Sequence, residues 1–167
     1  MSDSRAEEPA LLRALRAAGW RIETGGTPIP ASLRARHPSI PGAFEAFATA
    51  VRACVSPTET EWFLTATDYA GEGHAAFAWN EWELLSLDAA GDDEQWREAI
   101  RRFWDRHLPI LLSVRDGYAY LAIDLESPSG AVVAGREPEF EDVEVVARSF
   151  EELATMVAAE GGANLLW

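Results

Sequence analysis

Three histidines and one cysteine are the residues of this 167-residue chain whose types could carry metal or nucleophilic chemistry. His37, His74 and His107 are far apart, and none has a second ligand four residues away, as an HExxH zinc site requires. Cys54 has no other cysteine to pair with, and we interpret it as a buried structural thiol on the inner side of a helix. The sequence therefore predicts no catalytic residue set, no metal site and no cofactor.

A second group of candidates is acidic. Between residues 137 and 144 the chain carries Glu137, Glu139, Glu141, Asp142 and Glu144. This run lacks the DxDxDG spacing of a calcium-binding loop. It is either a solvated loop, which is the commoner case for a run of charge, or a surface that attracts a basic partner. We take the first four of these residues as candidate partner-binding residues.

Aromatic residues adjoin acids in a second segment. Trp79 and Trp82 lie on either side of Glu81. Such a mixture suits an interface hot spot ringed by charge, and it suits the half-buried edge of a core equally well. These three residues complete the predicted partner-binding set. Trp96 and Trp104 instead fit a core-facing helical stripe and need no function.

The charge balance narrows the class of partner. Fourteen basic and twenty-eight acidic residues give a formal net charge of −14. Such a surface repels nucleic acid and anionic membranes and attracts basic proteins over roughly a Debye length. The N-terminal segment has no continuous apolar region of the signal-peptide type, and the chain has no run of 18 apolar residues. We therefore expect a cytoplasmic protein.

The elements that must position these candidates are organised around a predicted hairpin. Asp116-Gly117 lies between two apolar runs, which is the strongest short-range signal for a two-residue turn. Alternation on both sides of that turn predicts that Leu112 pairs with Leu121 on the core face. A one-residue slip would move the whole apolar set to the other face.

Helical patterns lie on both sides of this hairpin. Apolar residues from Phe44 to Val51 recur at helical spacing, and a further helix is predicted through Trp104. Ser149 and Glu152 form a capping-box pattern that opens a last helix. The order of helices, strands, helix, strand meander and helix predicts an α+β fold. We expect a single domain with a largely antiparallel sheet, a central DG hairpin and helices packed around it.

Five segments together resemble a known family: SIPGAFEAF, FAWNEWE, FWDRHLPI, RDGYAYLAID and VARSFEEL. They resemble the SUKH superfamily, in its Smi/Knr-like branch, over about residues 30–158. The resemblance implies an α+β binding domain without a shared catalytic residue set. Many bacterial members look like immunity proteins that neutralise polymorphic toxins, often nucleases, and others act as regulatory interaction modules.

The expectation from sequence is therefore a polar tail over residues 1–8 and one SUKH-like domain over residues 9–167. Its expected function is non-enzymatic protein binding, as an immunity protein that neutralises a toxin with a basic surface. Two alternatives remain open at this point. One is a regulatory interaction or ligand-binding module, and the other is an enzyme that uses a pair of carboxylates as acid and base. The sequence leaves the oligomeric state open.

Overall fold

A seven-stranded antiparallel sheet runs through the molecule, and its strands follow one another across the sheet in chain order. The computed structural model describes residues 8–73 and 77–160, so His74 and residues 1–7 of the predicted tail lie outside the described residues. The strands are β1 (Arg21–Thr24), β2 (Val51–Val55), β3 (Glu61–Phe63), β4 (His107–Ser113), β5 (Ala119–Asp124), β6 (Val132–Arg136) and β7 (Glu144–Ala147).

Helices lie on both faces of this sheet. They are α1 (Ala10–Ala17), α2 (Ala31–Arg36), α3 (Gly42–Ala50), α4 (Ala66–Tyr69), α5 (Glu81–Ala90), α6 (Glu94–Arg106) and α7 (Phe150–Ala159). This is the α+β arrangement that the sequence predicts. Helices α4, α5 and α6 all lie between β3 and β4, in one excursion of the chain. Within the two described ranges, no helix combines the length and the apolar character of a membrane span.

Ring contacts show which helices cover which face. On one face, Phe63 of β3 packs against Phe47 of α3, with ring centroids 5.2 Å apart, and Phe47 packs in turn against Phe150 of α7. On the other face, Tyr120 of β5 packs against Trp104 of α6 at 4.9 Å. The sheet is therefore the middle layer of three, and the central strands are buried on both sides.

The register between β4 and β5 differs from the sequence prediction. Leu112 pairs with Tyr120, and Leu111 pairs with Leu121, so Leu112 and Leu121 lie on opposite faces and their predicted pairing is wrong. The connection between the paired ends of the strands spans residues 114–118 and contains Gly117 at a φ of +84°. Because helices cover both faces, apolar residues occupy both sides of β4 and β5, and alternation does not determine their register.

Two predicted elements belong to a different type of secondary structure. Helix α3 ends at Ala50, so Cys54 lies on strand β2 rather than on a helix. It is buried, as predicted, and burial raises the pKa of its thiol to about 12. The stretch from Phe77 to Gly91, which the sequence predicts as a short strand followed by a short helix or turn, contains helix α5 and no strand. In both cases tertiary packing outweighs the local pattern.

The helix starts are closer to the predictions. The Ser149 hydroxyl accepts a hydrogen bond from the Glu152 backbone N–H at 3.1 Å, which confirms the predicted cap of α7. The cap pattern of Asp92 and Gln95 predicts that α6 is capped by Asp92, but the cap is Asp93, one residue later, which accepts from the Trp96 N–H. Asn80 occupies the N-cap position of α5 without making a side-chain cap bond. A β-region N-cap accepts such bonds readily, but Asn80 has a φ of −105° and a ψ of 22°.

Tyr120 and Gly135 illustrate how tightly the second face is packed. The two residues are paired across β5 and β6, and the Tyr120 hydroxyl donates to the Phe140 carbonyl. A Cβ atom added to Gly135 would lie 2.6 Å from Tyr120 Oη and 2.7 Å from Tyr120 Cζ. The tyrosine ring is fully buried against Trp104 and has no room to move aside. Glycine at position 135 is therefore a packing requirement.

We predict that Gly135→Ala lowers the free energy of unfolding by about 1–3 kcal/mol, because it overpacks the site of the Tyr120 ring. The matched control is Gly42→Ala at the start of α3, where an added Cβ meets no atom within 4 Å. That control should be neutral or stabilising by up to about 1 kcal/mol. Urea unfolding of both variants makes the comparison, and equal stabilities would contradict the packing argument.

Candidate functional site

The structure brings the two predicted partner-binding segments together. Trp82 of α5 stacks on Phe140 of the acidic loop, with ring centroids 5.6 Å apart and planes within 2° of parallel. One helical turn later, the Ser86 hydroxyl donates to Glu141 Oε2 at 3.2 Å. The acidic loop is therefore held against α5 by one apolar and one polar contact. The two segments, distant in sequence, border one continuous region.

The four predicted residues of the acidic loop fall into two groups. Glu137, Glu139 and Asp142 are exposed, and their carboxylates are available to a partner. Glu141 is half-buried, and burial raises its pKa while the hydrogen bond from Ser86 opposes that rise. We infer that Glu141 fixes the loop to α5, whereas the other three carboxylates determine the charge of the surface.

The placement of Trp82 corrects the sequence prediction. Its side chain is 1 % exposed, it stacks on Tyr118 at 4.5 Å, and its Nε1–H donates to the Ala119 carbonyl at 3.1 Å. A partner has no access to this ring, so the prediction that Trp82 contacts a partner is wrong. Trp82 follows the acidic residue Glu81 in the sequence because both lie in the first turn of α5. The large apolar surface of the indole anchors that helix to the sheet.

Trp79 and Glu81 lie at the edge of the core. The Trp79 ring is half-buried and meets His37 edge-on at 6.3 Å and Tyr69 at 5.5 Å. Glu81 is half-buried, and its Oε2 accepts from the Ala78 N–H at 3.4 Å. Both side chains keep part of their surface in solvent. They border the region around α5 rather than form its centre.

Helix α5 has an unusual distribution of polar and apolar residues. Glu83 points inward and is 5 % exposed, whereas Leu84 is 47 % and Leu85 is 37 % exposed. Trp96, at the start of the neighbouring helix α6, is 50 % exposed, so the prediction that it lies in the core is wrong. Single exposed apolar residues are common on protein surfaces. Two adjacent leucines in solvent beside a buried glutamate are typical of an interaction surface.

Exposed carboxylates are frequent in α5, in the start of α6 and in the acidic loop that contacts α5. The only basic residue of the α5–α6 connection and the first turn of α6, Arg97, donates to the carbonyls of Leu87 and Gly91, at 2.8 and 3.3 Å. We use the name acidic apolar surface for Leu84, Leu85 and Trp96 together with the exposed Asp88, Asp92, Asp93, Glu94, Glu137, Glu139 and Asp142. Sequence reasoning missed its apolar centre. No local signal marks that centre, because Trp82, Leu84 and Leu85 do not share one side of α5 and the helix has no clear apolar stripe.

An ion-pair network determines the orientation of α5. The Arg36 guanidinium, at the end of α2, donates to both carboxylate oxygens of Glu83, at 2.7 and 2.8 Å. Its Nε donates to Asp105 of α6 at 2.8 Å. Burial opposes the positive charge, but the two carboxylates together raise the pKa of Arg36 above its usual value. Three helices therefore meet at one guanidinium, and the inward position of Glu83 is compensated.

His37 lies beside this network and is neutral. Its Nδ1–H donates to the Asp105 carbonyl at 3.1 Å, the tautomer that a carbonyl acceptor requires. Burial, together with the charge of Arg36, lowers the pKa of His37 to about 4. Its Nε2 is buried and finds no hydrogen-bond partner in the described part of the chain. Protonation of His37 therefore places an unpaired charge inside the fold.

The structure also contains a cleft of about 520 Å³ over strands β1, β2 and β3. Its lining comes from segments that are separated in sequence, so no local pattern predicts it. In residues 8–73 and 77–160, no three side chains of the metal-ligating types are grouped to hold an ion. The expected absence of a metal and of a cofactor stays a prediction.

Comparison of the chain with protein-family models, curated proteins and solved structures gives no match. The class that the fold and the site define is an α+β protein with an acidic surface that has an apolar centre. The resemblance to the SUKH superfamily stays a prediction.

We predict that Trp82→Ala lowers the free energy of unfolding by about 3–5 kcal/mol, because it removes the buried anchor of α5. Leu84→Ala, two residues later on the outward side, should change it by no more than about 0.5 kcal/mol. Chemical unfolding followed by circular dichroism makes the comparison. A small effect of Trp82→Ala would contradict the buried position of that ring.

We predict that acid destabilises the chain through His37. Its folded pKa of about 4 lies below the usual 6.5, so the unfolded chain binds the proton more readily, and stability falls as the pH drops from 6.5 towards 4. Relative to His37→Gln, the wild-type chain should lose up to about 3 kcal/mol over this range. Urea unfolding across the range tests this.

The pH comparison has an internal control. Burial also lowers the pKa of His107, whose Nδ1–H donates to the Phe103 carbonyl at 2.8 Å. A part of the acid sensitivity should therefore remain in His37→Gln and should be smaller in the double variant with His107→Gln. A stability difference between wild type and His37→Gln that stays constant with pH would contradict the role of His37.

Proposed function

We propose that this chain is a non-enzymatic protein-binding domain of the SUKH type, an immunity protein that neutralises a toxin with a basic surface. The observation that carries the proposal is the solvent exposure of Leu84 and Leu85 on a helix whose buried side holds Glu83. The sequence resemblance, with its many toxin-neutralising members, supports the same function. The proposed location is the cytoplasm, as the sequence predicts.

The acidic apolar surface has the composition that a tight interface with a basic protein needs. Apolar anchors such as Leu84, Leu85 and Trp96 contribute most of the binding free energy when they enter pockets of a partner. The surrounding carboxylates mainly increase the rate of association and exclude acidic partners. The proposal therefore predicts that substitutions of the apolar anchors change mainly the dissociation rate, whereas substitutions of the carboxylates change mainly the association rate.

A nuclease is a suitable target for such a surface. Its active site binds phosphates and therefore carries positive charge. Carboxylates from Glu137, Glu139 and Asp142 would occupy the positions of phosphates and keep the nucleic acid out. The net charge of −14 on this chain disfavours the competing interaction, direct binding to nucleic acid, because phosphates are repelled.

The test first asks whether a neighbouring gene encodes a secreted protein with a variable C-terminal domain, which the proposal expects, and then measures the binding kinetics of that domain at low and high salt. Glu137→Gln/Glu139→Gln should slow association several-fold at low salt and weaken its salt dependence. The matched control is Glu151→Gln/Glu160→Gln, in the first turn of α7 and just after its end, which removes the same charge from two other exposed positions. That control should leave association almost unchanged.

The apolar centre is tested in the same assay. Leu85→Ala should increase the dissociation rate by about tenfold, whereas Met156→Ala, on the exposed side of α7, should not. Protection of cells against the co-expressed toxin domain should fall in the same order. Absence of binding to the neighbouring domain, or equal effects of the test and control variants, would overturn the proposal.

A further inference from the structure

The cleft over β1, β2 and β3 is separate from the acidic apolar surface and shares no residue with it. Val55 of β2 pairs with Arg21 and with Trp62, so these side chains lie on one face of the sheet. Trp62 pairs with Leu112 and Leu112 with Tyr120, so this is the face that α6 covers further along the sheet. Over β1 to β3 the same face is the floor of the cleft, and α4 with the turn after it bounds one side.

The floor of the cleft is apolar. Ala53, Val55 and Val114 line it and are half-buried, so each has apolar surface that the rest of the fold does not cover. The volume of about 520 Å³ is within the range of sites for small molecules, which is roughly 300–1,000 Å³. This volume exceeds that of a single lysine or arginine side chain, which favours a small molecule over one side chain of a partner protein.

Four charged side chains of the lining neutralise one another. Arg21 lies 3.4 Å from Glu23 and 3.9 Å from Glu59, and Arg52 lies 3.7 Å from Glu23. These two guanidinium groups and two carboxylates together carry no net charge. The electrostatic potential in the cleft therefore depends on the other charged residues that line it.

Those other charged residues are both acidic. Asp68 of α4 and Glu72, four residues later, line the cleft, and in residues 8–73 and 77–160 neither forms an ion pair with a basic side chain. Burial raises the pKa of Asp68, and only hydrogen bonds from Thr65 oppose that rise. A carboxylate that loses hydration without a nearby cation is disfavoured in its charged form. The cleft therefore has a negative potential that a bound cation would compensate.

The Asp68 carboxylate is fixed through one oxygen and accessible at the other. Its Oδ2 accepts from the Thr65 backbone N–H at 2.9 Å, and the Thr65 hydroxyl lies 3.2 Å from both this oxygen and the Arg52 carbonyl of β2. Its Oδ1 accepts no hydrogen bond from the described residues and is not among the fully buried polar atoms. A Cβ atom at Gly73 would lie 2.1 Å from Oδ1, so glycine at that position leaves the oxygen uncovered.

We propose that this cleft binds a small organic cation, a protonated amine that carries an apolar group. The ammonium group has three N–H donors for Asp68 Oδ1 and the Glu72 carboxylate, and the apolar group packs on Val55 and Val114. A metal ion fits less well, because Ca²⁺ needs several oxygen ligands and the described residues provide no group of three ligating side chains. This site goes beyond the proposed protein-binding function and does not depend on it.

The experiment is calorimetric titration of the full chain at low salt with 2-phenylethylamine as the probe. Three molecules serve as controls: 2-phenylethanol lacks the charge, 3-phenylpropionate has the opposite charge, and ethylamine has the charge without the ring. The probe should bind one-to-one with a Kd of about 1 mM or lower. The alcohol and ethylamine should bind about tenfold more weakly, and the propionate more weakly still. No saturable binding of the probe, or equal binding of any control, would overturn the proposal.

Two variants locate the site. The Glu72 side chain is exposed, so Glu72→Gln should weaken binding of 2-phenylethylamine several-fold without loss of stability. Asp68→Asn keeps the size of the side chain but removes the charge, and should weaken binding by about tenfold. The matched control is Glu151→Gln on α7, at the opposite face of the sheet, which should bind as wild type does. Wild-type binding by Glu72→Gln would overturn the assignment. Because the acidic apolar surface is untouched, failure here leaves the protein-binding proposal standing.

Discussion

The pairing of Arg36 with Glu83 determines which side of α5 faces solvent. A carboxylate is excluded from a protein interior unless a cation and good hydrogen bonds compensate for lost hydration. Arg36 supplies both through two contacts of 2.7 and 2.8 Å. Because this ion pair allows Glu83 to lie on the buried side of α5, Leu84 and Leu85 face outward. The apolar centre of the proposed interface is thus a consequence of an ion pair on the opposite side of the helix.

The parts of the fold that could be predicted are those in which one local pattern has one structural meaning. The cap at Ser149 is such a case, and so is the helix that carries Phe44 and Phe47, because each follows from a few adjacent residues. The register of β4 and β5 was not of this kind. Leu111 and Leu112 are both fully buried, on opposite faces, so two registers bury similar apolar surface.

The charge of the candidate site could be predicted from the sequence, but which of its aromatic and apolar side chains are exposed could not. The exposed carboxylates of Glu137 and Glu139 are visible in the sequence and lie on the surface. Trp82 has the same local surroundings as a hot-spot residue, yet it is buried because Phe140, distant in sequence, covers it. Long-range packing partners of this type leave no local signal. The cleft over β1 to β3 is an extreme case, since its polar groups come from separate segments of the chain.

The excursion between β3 and β4 has an implication for how such a protein diversifies. Adjacent strands of the sheet are connected there by the whole segment that holds α4, α5 and α6. The entropic cost of closing a loop grows only logarithmically with its length, by roughly 0.6 kcal/mol for each doubling. Changes of length in the exposed connections of this segment, away from the buried Trp82 and Trp104, therefore cost strand pairing little free energy. A lineage can vary the helices that face solvent, and with them its recognition specificity, while it inherits the same sheet.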